Sequence, residues 1–592
     1  MKGILNSPVV YLWRKMYEYA GNRKKNINLA TFMFVMATIV VAIQPVVFAL
    51  FLNFVQKNDL TKQNLPHLFL ILLLLVATEL VFWVFWGPAR VIEQKSAFAV
   101  RKNYKEYLLK GVMALSLPWH ADHHSGDTID KIEKGSLSIF YFSMESHNFI
   151  SAFLKLLISF SVLAYFSLYP SLIVIVISIF TFYIMFTYDK KLVPGYRVVN
   201  RLENKTAAKV YDVISNITTV IILRIENLVF KSISKSIDKP LGQFNENVLN
   251  NEKKWFWASI FGQISVALMV GLYLFLGVKA GTEILIGSIY ILYSYASRVK
   301  DTFFSFALLY SNSEKWKASI HNAEEISKDF IQAELSENKH LPRNWSSLSV
   351  RNLSFSYHES DDADLHLDEV NISFKKGEKI AVIGESGGGK TTFLKLFRGL
   401  YLPKTIVLEI DDKVQNNDFN SISDSISLIP QDPEIFATTI RENITLGVEY
   451  SDEEISKYTD LSAFTDVATR LPKGLESNIV EKGVNLSGGE KQRLALARGL
   501  LASKDKDIVL LDEPTSSVDF HNELKIYENI FKAMPEKTII SSIHRLHLLS
   551  LFDNIYFFKD GKVVANGNLD QLKSESPDFQ KLWEKYLKTQ NQ

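Results

Sequence analysis

The sequence contains no cysteine, so disulfides and thiolate metal sites are excluded and packing and hydrogen bonds must hold the fold. It also lacks any marked imbalance of charge. The 66 Lys and Arg stand against 64 Asp and Glu, a formal net charge of +2, so no general field favours a nucleic-acid partner, and none is expected. Charge is missing locally as well. Residues 26–56, 156–188 and 255–278 carry no charged side chain at all, and about 20 apolar residues suffice for a helix to cross a bilayer. A cleavable leader is not expected, because Lys2, Arg14, Lys15, Arg23, Lys24 and Lys25 surround only a patchy apolar stretch at 9–13. Residues 8–20 read instead as an amphipathic helix at a membrane surface.

A chain of 592 residues is too long for one hydrophobic core. The expected division is an interfacial segment at 1–25, a transmembrane domain at 26–320, a linker at 321–345 and a soluble α/β domain at 346–592. Six spans are expected, at 29–55, 66–89, 138–167, 171–191, 255–278 and 283–305, with Pro170 opening the fourth after a tight turn. Two long charged loops, 90–137 and 192–254, separate the second span from the third and the fourth from the fifth. They carry Lys95, Arg101, Lys102, Lys105 and Lys110, then Arg197, Arg201, Lys205 and Lys209. The opposite loops are short and poor in charge, so the positive side, with the N-terminus and the C-terminal half, is read as cytoplasmic. Glu79 falls inside the second span, and a carboxylate there is expected to face a bundle interior or cavity, as a candidate substrate residue. Glu145, Lys155 and Arg298 stand nearer span ends, where the two cations can snorkel.

The clearest chemistry follows the apolar run at 379–383. Gly384, Glu385, Ser386, Gly387, Gly388, Gly389, Lys390 and Thr391 spell G-x-x-x-x-G-K-[ST], and Thr392 continues into a helical pattern. Glycines let backbone N–H groups curl around phosphate oxygens, the lysine supplies a positive charge and the hydroxyl can ligate Mg²⁺. A second apolar run at 508–511 ends in Asp512 and Glu513. There Asp512 is placed to hold Mg²⁺ and Glu513 to polarise an attacking water. Between them, Ser487, Gly488, Gly489 and Glu490 have the spacing of a capped helix start, which is also an anion site.

Together with the later His544, these elements resemble the ATP-binding cassette (ABC) family, in the layout of a bacterial half-size exporter-type transporter. The resemblance implies a multi-pass α-helical membrane domain fused to an α/β P-loop NTPase cassette that uses ATP and Mg²⁺. It also assigns roles residue by residue. Tyr357 matches the aromatic that stacks on adenine, and Gln431 the glutamine that touches Mg²⁺. Ser487 and Gly489 match the signature that meets the nucleotide of the other cassette, Glu481 and Gly483 the segment that contacts the membrane domain, Asp519 the loop between the two ATP sites, and His544 the histidine on the γ-phosphate. Departures are few: Gly388 stands where serine is frequent, Thr391 replaces the commoner serine, and the usual glycine before the strand at 408–410 is absent.

The expected function is ATP-driven movement of a lipid, peptide or amphipathic compound across or out of the bacterial inner membrane, by alternating access. A complete set of site residues favours a homodimer. An importer on the same fold is the alternative, with an ATP-gated channel or regulator behind it. No peptidase domain is expected before the first span, which disfavours a processing peptide exporter.

Overall fold

The computed structural model describes residues 7–59, 61–330, 340–357, 365–415, 418–432, 434–479 and 486–590. The chain divides into two compact units, residues 1–115 with 122–333, and residues 334–592 with 116–121.

The first unit is helical. Its long helices are α2 (Lys24–Lys57), α3 (Leu65–Met113), α4 (Ser125–Phe166), α5 (Leu168–Ser215), α6 (Leu241–Ala280) and α7 (Ile286–Ser327), preceded by α1 (Pro8–Tyr19). Helices α4 and α5 are separated only by Ser167, and Pro170 sits in the first turn of α5, where its missing N–H leaves no bond unmade. Helix α2 packs along α3, α4 along α7, and α5 along α6. Near one end of the unit Leu12, Met16, Val100, Tyr104, Leu108, Ile132, Phe142 and Ile320 form one core cluster. A second gathers Ala49, Leu163, Val266, Met269, Leu292 and Tyr295.

Five of the described long helices are long and apolar enough to cross a membrane by composition. The sixth expected span falls within α7, a 42-residue helix whose mean hydropathy is lowered by Arg298, Lys300 and Asp301. The N-terminal helix does form, capped by Ser7, whose Oγ accepts from the N–H of Val10. Leu12 and Met16 on its apolar face are buried against the chain's own helices. The Tyr11 hydroxyl donates to Glu324, and Lys15 pairs with the same carboxylate at 2.6 Å.

The second unit holds two sheets. Strands β1 (Ser347–Phe355), β2 (Leu367–Lys375), β4 (Thr405–Ile410) and β5 (Lys413–Val414) form an antiparallel sheet in the order β2-β1-β4-β5. The larger sheet runs β10-β9-β3-β8-β7-β6, from β3 (Lys379–Gly384), β6 (Ile426–Ile429), β7 (Ile508–Asp512), β8 (Thr538–Ser542), β9 (Asn554–Lys559) and β10 (Lys562–Gly567). All its neighbours are parallel except the β9–β10 hairpin. Strands β3, β7 and β8 are covered on both faces and read as unbroken apolar or small-residue runs, as buried parallel strands do. Their carboxyl ends, at Gly384, Asp512 and Ser542, therefore lie side by side at one edge of the sheet, where α/β folds bind ligands.

Candidate functional site

The loop after β3 turns on three glycines in the left-handed half of backbone space. Gly384 has φ +146° and Gly389 φ +100°. A Cβ on Gly384 would stand 2.1 Å from the carbonyl oxygen of Phe558, and one on Gly389 2.6 Å from Leu367 Cδ2. Gly387, at φ +85°, has open space around it, so its requirement is conformational alone. Residues Glu385, Ser386 and Gly388 complete the turn, and the N–H of Gly388 donates to the Glu385 carbonyl at 3.1 Å. The helix α8 (Lys390–Phe397) starts immediately afterwards. Successive backbone N–H groups at such a strand-to-helix turn form a ready cradle for phosphate oxygens.

Lys390 is buried and its Nζ donates to the carbonyls of Gly384 and Glu385, at 2.9 and 3.1 Å. Burial lowers its affinity for a proton below that of an ordinary lysine, while the nearby charges of Glu513 and Asp512 oppose the shift. Beside it, the Thr391 hydroxyl donates to Asp512 Oδ1 at 3.1 Å, and Ser542 donates to the same oxygen at 2.8 Å. Asp512 is only 3% exposed. Its carboxyl is raised above the ordinary aspartate value, chiefly by burial, with the bonds from Ser542 and Thr391 opposing.

Glu513 follows with φ +45°, a left-handed conformation that few side-chain-bearing residues adopt. That turn brings its carboxylate between two partners. Gln431 Nε2 donates to one oxygen at 2.9 Å, and His544 Nε2 lies 2.7 Å from the other. The Glu513 N–H donates to Ser542 Oγ at 2.9 Å. Ser542 thus bridges both acidic residues, and sequence reasoning did not single it out. The available signal was its place at the carboxyl end of β8, in register with Asp512 on β7.

Oxygen donors of this kind suit a small hard cation: one buried carboxylate, one hydroxyl and a side-chain amide nearby. Among the described residues no group of three or more His, Cys, Asp or Glu is assembled. Thr391, Asp512 and Gln431 are accordingly the residues that would hold Mg²⁺, in company with nucleotide oxygens, and the bound ion would neutralise developing phosphate charge.

The remaining expected residues fall into three groups. Tyr357 presents a half-exposed ring edge-on to Phe355, His366 and Tyr401, at 4.8, 4.9 and 5.2 Å, and its hydroxyl donates to Thr392 at 3.3 Å. It therefore stands beside the start of α8. Ser487 caps α9 (Gly488–Ala502) in a reciprocal box with Glu490, and Arg470 holds Glu490 at 2.5 Å. A Cβ on Gly489 would meet the Ser517 carbonyl at 2.7 Å. Asp519 caps α10 (Phe520–Ala533) through the N–H of Asn522. Among the described residues no hydrogen bond joins Ser487, Gly488 or Gly489 to the phosphate loop. Gln492 ties these two regions' supports together, accepting from the N–H of Ser517 at 2.7 Å and donating to the Gln431 carbonyl at 3.3 Å. Glu481 and Gly483 lie outside the described residues. In the first unit, Glu79 is exposed in the single chain and accepts from Gln44 Nε2 at 3.0 Å.

Residues 27–299 match the ABC transporter transmembrane region, and residues 367–516 match the ABC transporter domain. A putative export ATP-binding/permease protein of Rickettsia bellii is 33% identical over 243 residues, 41% of this chain and 42% of the relative. A multidrug resistance ABC transporter ATP-binding and permease protein of Lactococcus lactis is 32% identical over 265 residues, 44% of this chain and 43% of the relative. The alignments thus span less than half the length of these curated relatives. The solved structure of a bacterial Atm1-family ABC exporter with ATP bound superposes with a TM-score of 0.78 at 21% identity. It covers 95% of this chain and 99% of that one, a likeness of fold.

Proposed function

The chain is an ABC exporter-type half-transporter, a transmembrane region joined to an ATP-binding cassette, and from that premise we propose that two copies hydrolyse Mg-ATP to drive a substrate across or out of a bacterial inner membrane. The observation that carries this reading is the convergence of Thr391, Asp512, Gln431, Glu513 and His544 at the mouth of the phosphate loop. Both Glu513 oxygens are held by neighbours, which fixes the carboxylate where it can take a proton from an attacking water. Lys390 and the loop N–H groups bind phosphate, and His544 stands on the same side as Glu513 to contact its terminal oxygens. Retention of Glu513 supports turnover over a purely ATP-gated role.

Ser487 caps, and Gly489 lies in the first turn of, a helix that among the described residues makes no hydrogen bond to this chain's own phosphate loop, so a second copy is the natural source of a signature facing each nucleotide. Alternating access follows if closure of the paired cassettes opens the membrane regions to the other side. Positive charge in the long loops supports a cytoplasmic N-terminus and cassette. Glu79 belongs to this reading as a candidate cavity residue.

The test is Glu513→Gln in the purified full chain. It should bind Mg-ATP yet hydrolyse it at least tenfold more slowly, about 1.4 kcal/mol in barrier. Lys390→Ala should instead weaken nucleotide binding in an equilibrium titration. Near-normal turnover of Glu513→Gln would remove the glutamate from the base role.

A further inference from the structure

Ionisable groups buried at membrane depth are costly and persist where something pairs with them. Helices α2, α4 and α6 end, and α3, α5 and α7 begin, at the three short connections between Lys57 and Leu65, Phe166 and Leu168, and Ala280 and Ile286. These six termini mark one side of the bundle. Gln44, Glu79, Lys155 and Arg298 all lie at nearly one distance from it. At 1.5 Å per helical residue the depth is roughly 17–21 Å, close to the middle of a spanning segment.

The charges in this layer do not balance. Apart from the Lys300–Asp301 pair, Glu79 is the one described carboxylate against Lys155 and Arg298, and it already accepts from Gln44. Lys300 lies at the depth of Glu79 and Asp301 one residue beyond it, and the two offset each other at 4.0 Å. No described carboxylate forms an ion pair with Lys155 or Arg298. Arg298 Nη2 donates to the Val41 carbonyl at 3.2 Å and its guanidinium lies 5.5 Å from the Tyr295 ring centre. Neither partner carries a negative charge. A second copy brings the same excess, so pairing two chains cannot neutralise it.

Lys155 is exposed in the single chain and Arg298 half-buried, and each stands one turn from side chains packed into the bundle. Ser151 and Ser159, one turn to either side of Lys155 on α4, are 5% and 2% exposed, and Tyr295 and Thr302 flank Arg298 on α7 at 1% and 5%. Helices α4 and α7 pack along each other. Ser151 also accepts from Thr38 of α2 at 3.1 Å. The two positive groups therefore project from one helix pair at one depth, among apolar and small polar neighbours.

The geometry points to Lys155 and Arg298 as a binding site for the head group of an anionic amphiphile, a phosphate or carboxylate carried on an apolar body. Resting on the transport reading above, this assigns a substrate class to the membrane region. The negative head group supplies the missing counter-charge. The apolar body lets it reach this depth, which a free inorganic anion does only by shedding its water.

The experiment uses the full chain in phosphatidylcholine nanodiscs, titrated without nucleotide at submicellar probe concentrations. The probes are dodecyl phosphate, dodecyltrimethylammonium, dodecyl maltoside and inorganic phosphate. Dodecyl phosphate should bind at least tenfold more tightly than each of the other three. Lys155→Gln, at a side chain with no hydrogen bond to break, should reduce that preference at least threefold while leaving thermal unfolding unchanged. Glu79→Gln should strengthen it, by removing the layer's only carboxylate outside the Lys300–Asp301 pair. Equal binding of the three dodecyl probes, with Mg-ATP hydrolysis intact, would overturn the anionic site and leave the transport reading standing. Inorganic phosphate binding as tightly as dodecyl phosphate would overturn the amphiphile. Selective dodecyl phosphate binding by a chain that hydrolyses no ATP would support the site and sink the transport reading instead.

Discussion

Ser542 touches both acidic residues of the nucleotide site, donating to Asp512 and accepting from the backbone of Glu513. Ser542→Ala should leave ATP binding largely intact and lower hydrolysis about tenfold, ~1.4 kcal/mol in barrier. Ser542→Thr, which keeps the hydroxyl, should recover most of the loss, whereas a merely structural serine would show no such split between binding and turnover. Asp512 gives a prediction of opposite sign for stability and function. Its raised folded pKa means that it stabilises the fold below the unfolded aspartate value and that this contribution disappears as pH rises through the folded value. At neutral pH the buried carboxylate therefore weighs against the nucleotide-free fold. Asp512→Asn should raise the thermal midpoint at pH 7 by about 2 °C or more, as ~1 kcal/mol does in a domain of this size. The gain should shrink in acid, and Mg-dependent hydrolysis should be lost. At this scale the sequence was most legible where residue type and spacing together carry the chemistry, as in Lys390, Thr391 and the Asp512–Glu513 pair. Ser542 was hidden because its role depends on the register of two strands that are distant in sequence.

Among the elements, the phosphate loop is the most tightly specified. Gly384 needs both a left-handed backbone and the absence of a Cβ, since the Phe558 carbonyl would stand 2.1 Å away. That obstacle is backbone on the adjacent strand β9, which cannot give without breaking the β3–β9 pairing. Gly384→Ala should lower the thermal midpoint and abolish nucleotide binding, while Gly387→Ala, with open space around it, should cost only about 1 kcal/mol of strain. Both are read by thermal unfolding with and without ATP. The buried strands were legible because unbroken apolar runs have few other uses. The first five long helices were legible from length and apolarity. Helix α7 was legible too, although Tyr290, Tyr293 and Tyr295 and the charges of Arg298, Lys300 and Asp301 dilute its apolar signal. In the N-terminal helix the apolar periodicity marked Leu12 and Met16, which are buried, but not the helices that cover them.

For the whole molecule, the account holds that each nucleotide is enclosed by one copy's phosphate loop and another copy's signature. A mixed-chain assay tests this most directly. Lys390→Ala disables one copy's loop, and Ser487→Arg disables the other copy's signature with a bulky, charged side chain. Each variant assembled alone should hydrolyse Mg-ATP at less than a tenth of the unaltered rate. Assembled together, the two can still form one complete site, from the intact loop of the Ser487→Arg chain and the intact signature of the Lys390→Ala chain. Hydrolysis should then return to a substantial fraction of the unaltered rate, with both variants folded by thermal unfolding. A mixture that stays as inactive as its components, although both chains are present in one particle, would contradict the account.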